Sequence, residues 1–425
     1  MNKTSTTTLD KRYWKLAIAG GMASYLDSAA IISVGISLAI WKTSFGLDPW
    51  AIGFISAALT LSIAVGALVG GRIADVFGRR LVFNIDLALY IVGVLIIIMA
   101  RSETGLIAGV IVTGLAAGAD LPTSIAVISE RAPANGQGRL VAFTQVMWTI
   151  GILVATLLGF LVADLGLTGV TILFLHLIIV AVPTLLIRIF SKSFQELESE
   201  TKQKNSGEEN EAAIPLATIL TSPIFMKGIL LTAGFYIFYG LVANTFGQFK
   251  TYFLITVGGA TQSTATGFSF AATLVGLACA SIFARSADSK WRNHLFYFGA
   301  ALLIISLSVA ALSEGKILWL MLVVLILYNL SNPFAGEAIY KVWTQETFPV
   351  NARATVQGIT YAIARFVFAA FALVTPAIIA WSPSGLFWML VGLATVSAII
   401  GNLIIRQSAK SDLASNEVTL SEKVA

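Results

Sequence analysis

The chain has 425 residues, of which 57% are hydrophobic and only 12% charged, and its mean hydropathy is +0.86. A soluble globular domain carries about 25% charged residues, so a water-facing surface is excluded and the solvent for most of this chain is lipid. The net charge of +5 comes without a basic patch interleaved with aromatics. That excludes a nucleic-acid footprint and reads as loop asymmetry facing an anionic membrane surface.

The N-terminal stretch 1–15 is polar and basic, and the apolar run behind it is too long for a signal peptide. It reads as a cytoplasmic tail. A membrane span needs about 20 mainly apolar residues, and twelve runs qualify: 16–41, 50–71, 81–100, 104–130, 139–163, 167–189, 224–253, 263–284, 294–313, 316–344, 353–380 and 385–405. None shows strand-like alternation, and a backbone in lipid must satisfy its own hydrogen bonds, so each run reads as helix. The expected fold class is all-α integral membrane, with twelve transmembrane helices.

An even number of spans puts both termini on one side. That side collects Lys3, Lys11, Arg12 and Lys15, then Arg72, Arg79 and Arg80, then Arg131 and Arg139. It also collects Arg188, Lys192, Lys202, Lys204, Lys227, Arg285, Lys290 and Arg292, whereas the opposite loops hold only Lys42, Arg101 and Lys316. The positive-inside rule makes this the cytoplasmic side of a cell membrane. Cys279 lies inside an apolar run and reads as a buried structural thiol, with no disulfide framework or metal cluster.

The longest polar interruption, SKSFQELESETKQKNSGEENEAA, falls between the sixth and seventh spans, and its six glutamates and three lysines read as a solvated linker. The chain then divides into a six-helix half over 16–189, a linker over 190–223, a second half over 224–405 and a cytoplasmic tail over 406–425. Such a layout is typical of transporters built from two repeats around a midplane site. The halves also repeat in sequence. Aligning GGRIADVFGRR after span two with ARSADSKWRN after span eight puts Asp75 over Asp288 and Arg79 over Arg292. Aligning ERAPANGQGR with ETFPVNARA puts Glu130 over Glu346 and Pro133 over Pro349.

GGRIADVFGRR resembles the loop signature of the major facilitator superfamily, and the twelve-span, two-half plan agrees over the whole chain. The resemblance implies a set of cytoplasmic salt bridges that latch the outward-facing state and break as the halves rock. Its members here are Asp75, Arg79, Arg80, Glu130, Arg139, Asp288, Arg292, Glu346 and Arg353, although a plain positive-inside anchor accounts for the arginines as well. Within the superfamily, ERAPANGQGRLVAFTQ resembles the signature of the xylose-type sugar porters, which implies that Gln145 is a sugar-hydroxyl ligand. ASYLDSAAII resembles their first-helix Tyr-Asp segment, which implies that Asp27 is the protonatable carboxylate. The departures are specific. Phe238 and Tyr239 stand where the helix-seven glutamines would be, Lys341 stands in place of the helix-ten tryptophan, and Val110 takes the position of the helix-four arginine. The pattern is nearer to inositol and other polyol symporters than to hexose carriers.

Five charges fall at membrane depth: Asp27, Asp120, Glu337, Lys341 and Arg365. On insertion scales a charge there costs at least about 2.5–3.5 kcal/mol. At 1.5 Å per residue, Asp27 lies roughly 18 Å in from Lys15 and Asp120 about 15 Å in from Glu130, with no basic residue close to Asp120 in the sequence. Desolvation favours the neutral acid, which suits a proton carrier, and both aspartates are candidate coupling sites. For Asp120 the bland alternative is a neutral acid bonded to a nearby hydroxyl such as Thr123. Pro333 and Gly336 are expected to break the tenth helix near its middle. Glu337 and Lys341 lie one turn apart and can pair, and Glu337 is the leading partner for Arg365. Those three residues form either structural glue or a binding site with a spare positive charge.

Polar and aromatic groups on the presumed cavity faces complete the candidate substrate site: Gln145 and Trp148, Asn244 and Gln248, then Asn329, Asn332 and Tyr340. Amides offer paired donors and acceptors to vicinal hydroxyls, and rings pack on C–H faces. His176 reads as structural. The expected function is proton-coupled symport of a small polyol or monosaccharide by a monomer that needs no cofactor and is not an enzyme. Sugar-acid uptake and drug/proton antiport are the alternatives.

Overall fold

The computed structural model describes residues 10–77, 79–131, 137–190, 216–286, 289 and 291–424. Within them the chain is helical almost throughout. Asp10 caps the first helix, α1 (Lys11–Phe45), by accepting the Arg12 N–H at 3.0 Å, and Gly46 ends it in the left-handed region at φ 65°. Only glycine adopts that conformation without strain. Asp48 then accepts the Ala51 N–H at 2.7 Å and starts α2 (Pro49–Phe77), with proline at the first position, where no N–H is needed. There follow α3 (Arg79–Met99), α4 (Glu103–Arg131), α5 (Gln137–Leu161) and α6 (Gly166–Phe190).

A short α7 (Leu216–Thr221) lies inside the stretch expected to be linker, and residues 191–215 of that stretch fall outside the described residues. The second half comprises α8 (Pro223–Thr256), α9 (Gln262–Ser286), α10 (Arg292–Leu312), α11 (Leu318–Ala335), α12 (Glu337–Thr347), α13 (Val350–Trp381) and α14 (Pro383–Val424). Among the described residues, twelve spans are long and apolar enough to cross a membrane. The tenth is a broken one: α11 and α12 are separated at Gly336, as Pro333 and Gly336 led us to expect. The backbone of Gly336 comes so close to the Tyr239 hydroxyl that a Cβ there would lie 2.5 Å from it.

In the first half α4 packs on α2 and α3, and α1 packs on α4, α5 and α6. In the second, α11 packs on α9 and α10, and α14 on α8 and α10. The halves meet through α1 against α8, α2 against α13, and α5 against α9. The repeat pairs α1 with α8, α2 with α9 and α5 with α13, so the last two contacts are one contact seen from either half.

The tightest approaches between the halves lie away from the face that carries the termini. A Cβ on Gly53, near the start of α2, would sit 2.0 Å from the Leu373 carbonyl oxygen of α13. One on Gly35 would sit 2.5 Å from the Gln248 carbonyl oxygen of α8. Nearby, the Gln262 amide donates to the Ile36 carbonyl at 2.9 Å, and the Lys42 ammonium stands 5.5 Å from the Tyr252 ring centre. The molecule is therefore closed at this far face. Trp50, Trp319 and Trp381 are exposed at the ends of helices on the same face, where amphipathic rings sit in a bilayer interface.

Candidate functional site

Asp27 lies in the middle of α1 and is fully buried, and neither carboxylate oxygen has a hydrogen-bond partner. The nearest cation comes from the other half of the molecule: Arg365 of α13, its Nη2 3.7 Å from Asp27 Oδ2 and its side chain 22% exposed. The sequence reading assigned Arg365 to Glu337. Instead, Glu337 pairs with Lys341 at 2.9 Å and accepts a hydrogen bond from the Tyr361 hydroxyl at 3.1 Å. One turn of helix separates Glu337 from Lys341, and the partner within that reach takes the carboxylate.

Lys341 also donates to Gln145 Oε1 at 2.7 Å, so α12 is tied to α5 across the two halves. Gln145 is exposed, and Glu337 and Lys341 are each about one-third exposed. These groups face a space open to solvent between the halves. Tyr239 hydrogen-bonds Asn332 beside the break at Gly336, while the Tyr236 ring lies tilted 4.5 Å from the Tyr340 ring centre and edge-on 5.0 Å from that of Tyr361.

The other candidate ligands are placed unevenly. Asn244 accepts from the Gln248 amide at 2.9 Å, and Gln248 also donates to Thr60 of α2 at 2.7 Å, a further bond between the halves. Gln248 is buried, as is Tyr340, whereas Asn244 and Trp148 are partly exposed. The Trp148 carbonyl accepts the Ser28 hydroxyl at 2.8 Å, fixing α5 against α1. Asn329 turns towards α9, where Gly276 lies against it, and donates to the Leu325 carbonyl of its own helix. His176 bonds the Leu173 carbonyl and sits edge-on to Tyr25, consistent with a structural residue.

Asp120 is the largest correction. The loop count placed Arg188 among the cytoplasmic charges, but its side chain is completely buried and grips Asp120. The grip is bidentate, with Nη1 2.8 Å from Oδ1 and Nη2 3.0 Å from Oδ2. The Ser124 hydroxyl, and not that of Thr123, donates to Asp120 at 2.7 Å; Thr123 bonds the Ala119 carbonyl. Arg188 also donates to the carbonyls of Phe83 at 2.8 Å and Ala19 at 3.1 Å, and its guanidinium lies 3.7 Å from the centre of the Phe83 ring. Asp120 is thus sealed inside the first half instead of lining the space between the halves. Two further charges at membrane depth escaped the sequence reading. Asp86 of α3 lies 3.9 Å from Arg188, and Lys250 of α8 has no hydrogen bond or ion pair among the described residues. Lys250 sits in an apolar niche with Phe246, Phe249, Phe253 and Phe387.

Of the expected latch, Arg292 and Glu346 form a bidentate pair at 2.6 and 3.1 Å. The side chains of Asp75, Arg79, Arg80, Glu130, Arg139, Asp288 and Arg353 lie outside the described residues.

A solvent-reached cluster of opposite charges between two six-helix halves, closed on one face, has the layout of a membrane carrier's site. The sequence agrees: residues 17–373 match the Major Facilitator Superfamily, and the chain belongs to it, as a multi-pass membrane transporter and not an enzyme. It is 32% identical over 419 residues to the minor myo-inositol transporter IolF of Bacillus subtilis (strain 168), covering 96% of this chain and 94% of that one. The niacin transporter NiaP of Acinetobacter baylyi (strain ATCC 33305 / BD413 / ADP1) is 28% identical over 216 residues, 49% of this chain and 48% of the other. A crystal structure of a D-xylose-proton symporter shares the fold at a TM-score of 0.72 with 17% identity, covering 91% and 96% of the two chains.

Proposed function

We propose that this transporter brings a small polyhydroxylated solute, an inositol-type polyol or a monosaccharide, into the cell together with a proton. The observation that carries the reading is the Asp27–Arg365 pair, a buried carboxylate and a cation from opposite halves, 3.7 Å apart and without a hydrogen bond between them. Similarity to a protein named as a myo-inositol transporter over nearly the whole chain supports the solute class. The positive-inside count makes the face with the termini cytoplasmic, so closure at the far face leaves the site open to the cytoplasm. The unit is a monomer in the cell membrane.

The chemistry follows from charge balance. With Asp27 ionised, the two charges neutralise each other and the empty carrier turns over with this pair electrically neutral. A proton on Asp27 leaves Arg365 without a counter-charge, and its N–H donors turn to substrate oxygens. Glu337, Lys341 and Gln145, which bond one another in the empty site, exchange those bonds for hydroxyls. Proton and solute therefore load together. With a neutral solute one positive charge enters per cycle, and the membrane potential adds about 2.3 kcal/mol per 100 mV. Two observations favour a second reading, uptake of an organic acid: Arg365 makes no hydrogen bond to Asp27, and one relative is named as a niacin transporter.

The test is internal pH in proteoliposomes on adding myo-inositol, monosaccharides or sugar acids, for wild type and Asp27→Asn. We expect proton entry with a polyol in wild type, and solute exchange without proton movement in the variant. Proton entry driven only by an acid would select the second reading. Solute entry without protons in both proteins would overturn the role of Asp27.

A further inference from the structure

We propose that Asp86 is a second proton-binding site, occupied in the resting protein, whose proton lets two buried carboxylates share the single guanidinium of Arg188. The case rests on how the donors of Arg188 are spent. Nη1 gives its two hydrogens to the Phe83 carbonyl and Asp120 Oδ1, both at 2.8 Å. Nη2 gives its two to Asp120 Oδ2 at 3.0 Å and the Ala19 carbonyl at 3.1 Å, with Ser124 Oγ at 3.3 Å. Nε, the fifth donor, is buried without a hydrogen-bond partner, so neither it nor the two terminal nitrogens donate to Asp86. Its Oδ1 stands 3.9 Å from Nη1 and accepts only the Leu87 N–H, at 2.7 Å. Its Oδ2 has no partner at all, and the side chain is 2% exposed.

If all three side chains were ionised, the site would carry one uncompensated negative charge out of reach of water. Two carboxylates sharing one site do not both ionise under these conditions. Asp120 has both oxygens taken up as acceptors by a bidentate guanidinium and a hydroxyl, whereas Asp86 keeps one oxygen without any donor. The proton therefore resides on Asp86, at Oδ2.

The surrounding elements supply no other counter-ion among the described residues. From α4 comes Asp120 itself, with Glu103 and Arg131 at the two ends of that helix. From α6 comes Arg188, while His176 faces Tyr25 instead. On α3 the Tyr90 hydroxyl is committed to the Leu26 carbonyl at 2.9 Å, and Asp27 of α1 faces Arg365. The span of α2 from Pro49 to Gly70 has no ionisable side chain, and the side chains of Arg72, Asp75, Arg79 and Arg80 lie outside the described residues.

The contacts of Asp86, Asp120 and Arg188 come from α1, α3, α4 and α6, all in the first half. Rocking one half against the other does not carry this site from one side of the membrane to the other. Its proton is a resident counter-ion and not cargo, in contrast to the proton on Asp27.

Infrared spectroscopy of the full-length protein in lipid at neutral pH, with aspartate carboxyls labelled by 13C, decides the matter. We expect a carboxylic-acid C=O band that shifts on labelling, persists in Asp27→Asn and disappears in Asp86→Asn. Solute-driven proton uptake in Asp86→Asn is expected to match wild type. Absence of the band in Asp27→Asn, its survival in Asp86→Asn, or loss of coupled proton uptake in a folded Asp86→Asn protein would each overturn the assignment. Should Asp86→Asn fail to fold, the labelled Asp27→Asn spectrum alone still shows whether a buried aspartic acid is present.

Discussion

Closure of the far face depends on two glycine contacts, and Gly53→Ala tests that dependence directly. The added Cβ would lie 2.0 Å from the Leu373 carbonyl oxygen, where ordinary contact begins at 3.4 Å. The difference means that α2 and α13 must part by about 1.4 Å before the methyl fits. The atom it meets is backbone in the middle of a helix, so no side-chain rotation relieves the clash. Overpacking of this kind costs typically about 1–3 kcal/mol. Only the state in which α2 touches α13 bears that cost, so the equilibrium moves about 5- to 150-fold towards the state open at the far face.

Spin labels at positions 50 and 381, whose tryptophans are 56% and 87% exposed, would report the separation of the two helix ends. The buried Cys279 is the one native cysteine and is replaced by serine in the background. We expect the distance distribution to move to longer values in Gly53→Ala and to stay unchanged in Gly247→Ala, where nothing lies within 4 Å of the new Cβ. An unchanged distribution in a folded Gly53→Ala protein would show that closure does not rest on this contact.

Two further outcomes follow from the charges at membrane depth. Arg188→Gln leaves Asp120 without its cation, and removal of one partner of a buried pair costs about 3–5 kcal/mol; the thermal midpoint should fall sharply and recover in the Arg188→Gln/Asp120→Asn double variant. Lys250→Met keeps the length of the side chain but removes an unpaired amine from an apolar niche. It should raise the midpoint, by about 1 kcal/mol or more in stability, and a fall instead would show that the amine is satisfied by its surroundings.

The spans were legible because lipid imposes a length and a polarity on every one of them, so the twelve apolar runs coincide with the twelve spans found among the described residues. The break at Gly336 was legible for a local reason: proline and glycine act on their own backbone. The Glu337–Lys341 pair was legible because helical periodicity brings residues four apart together. What the sequence did not reveal are the pairings between distant helices. Arg188 sits near the end of α6, where a loop charge and an inward-turned buried one look the same until α3 and α4 are placed beside it. The meeting of Asp27 with Arg365 depends on how the halves face each other, which no local pattern encodes. Counting charges by depth also passed over Asp86 and Lys250, since each lies within about two turns of the end of its helix, where a charge passes for an interfacial one.

The halves repeat in sequence, yet their electrostatics divide the labour. The first half spends Asp86, Asp120 and Arg188 on itself and offers the interface mainly Asp27 and Gln145. The second turns Glu337, Lys341 and Arg365 outward, on α12 and α13 beside a break in the helix that gives them latitude. Under the proposed coupling at Asp27, the first half houses the energy source and the second is the part whose wording can be rewritten. A chimaera that keeps α1 to α6 and borrows its second half from a relative should keep the driving ion and change the cargo.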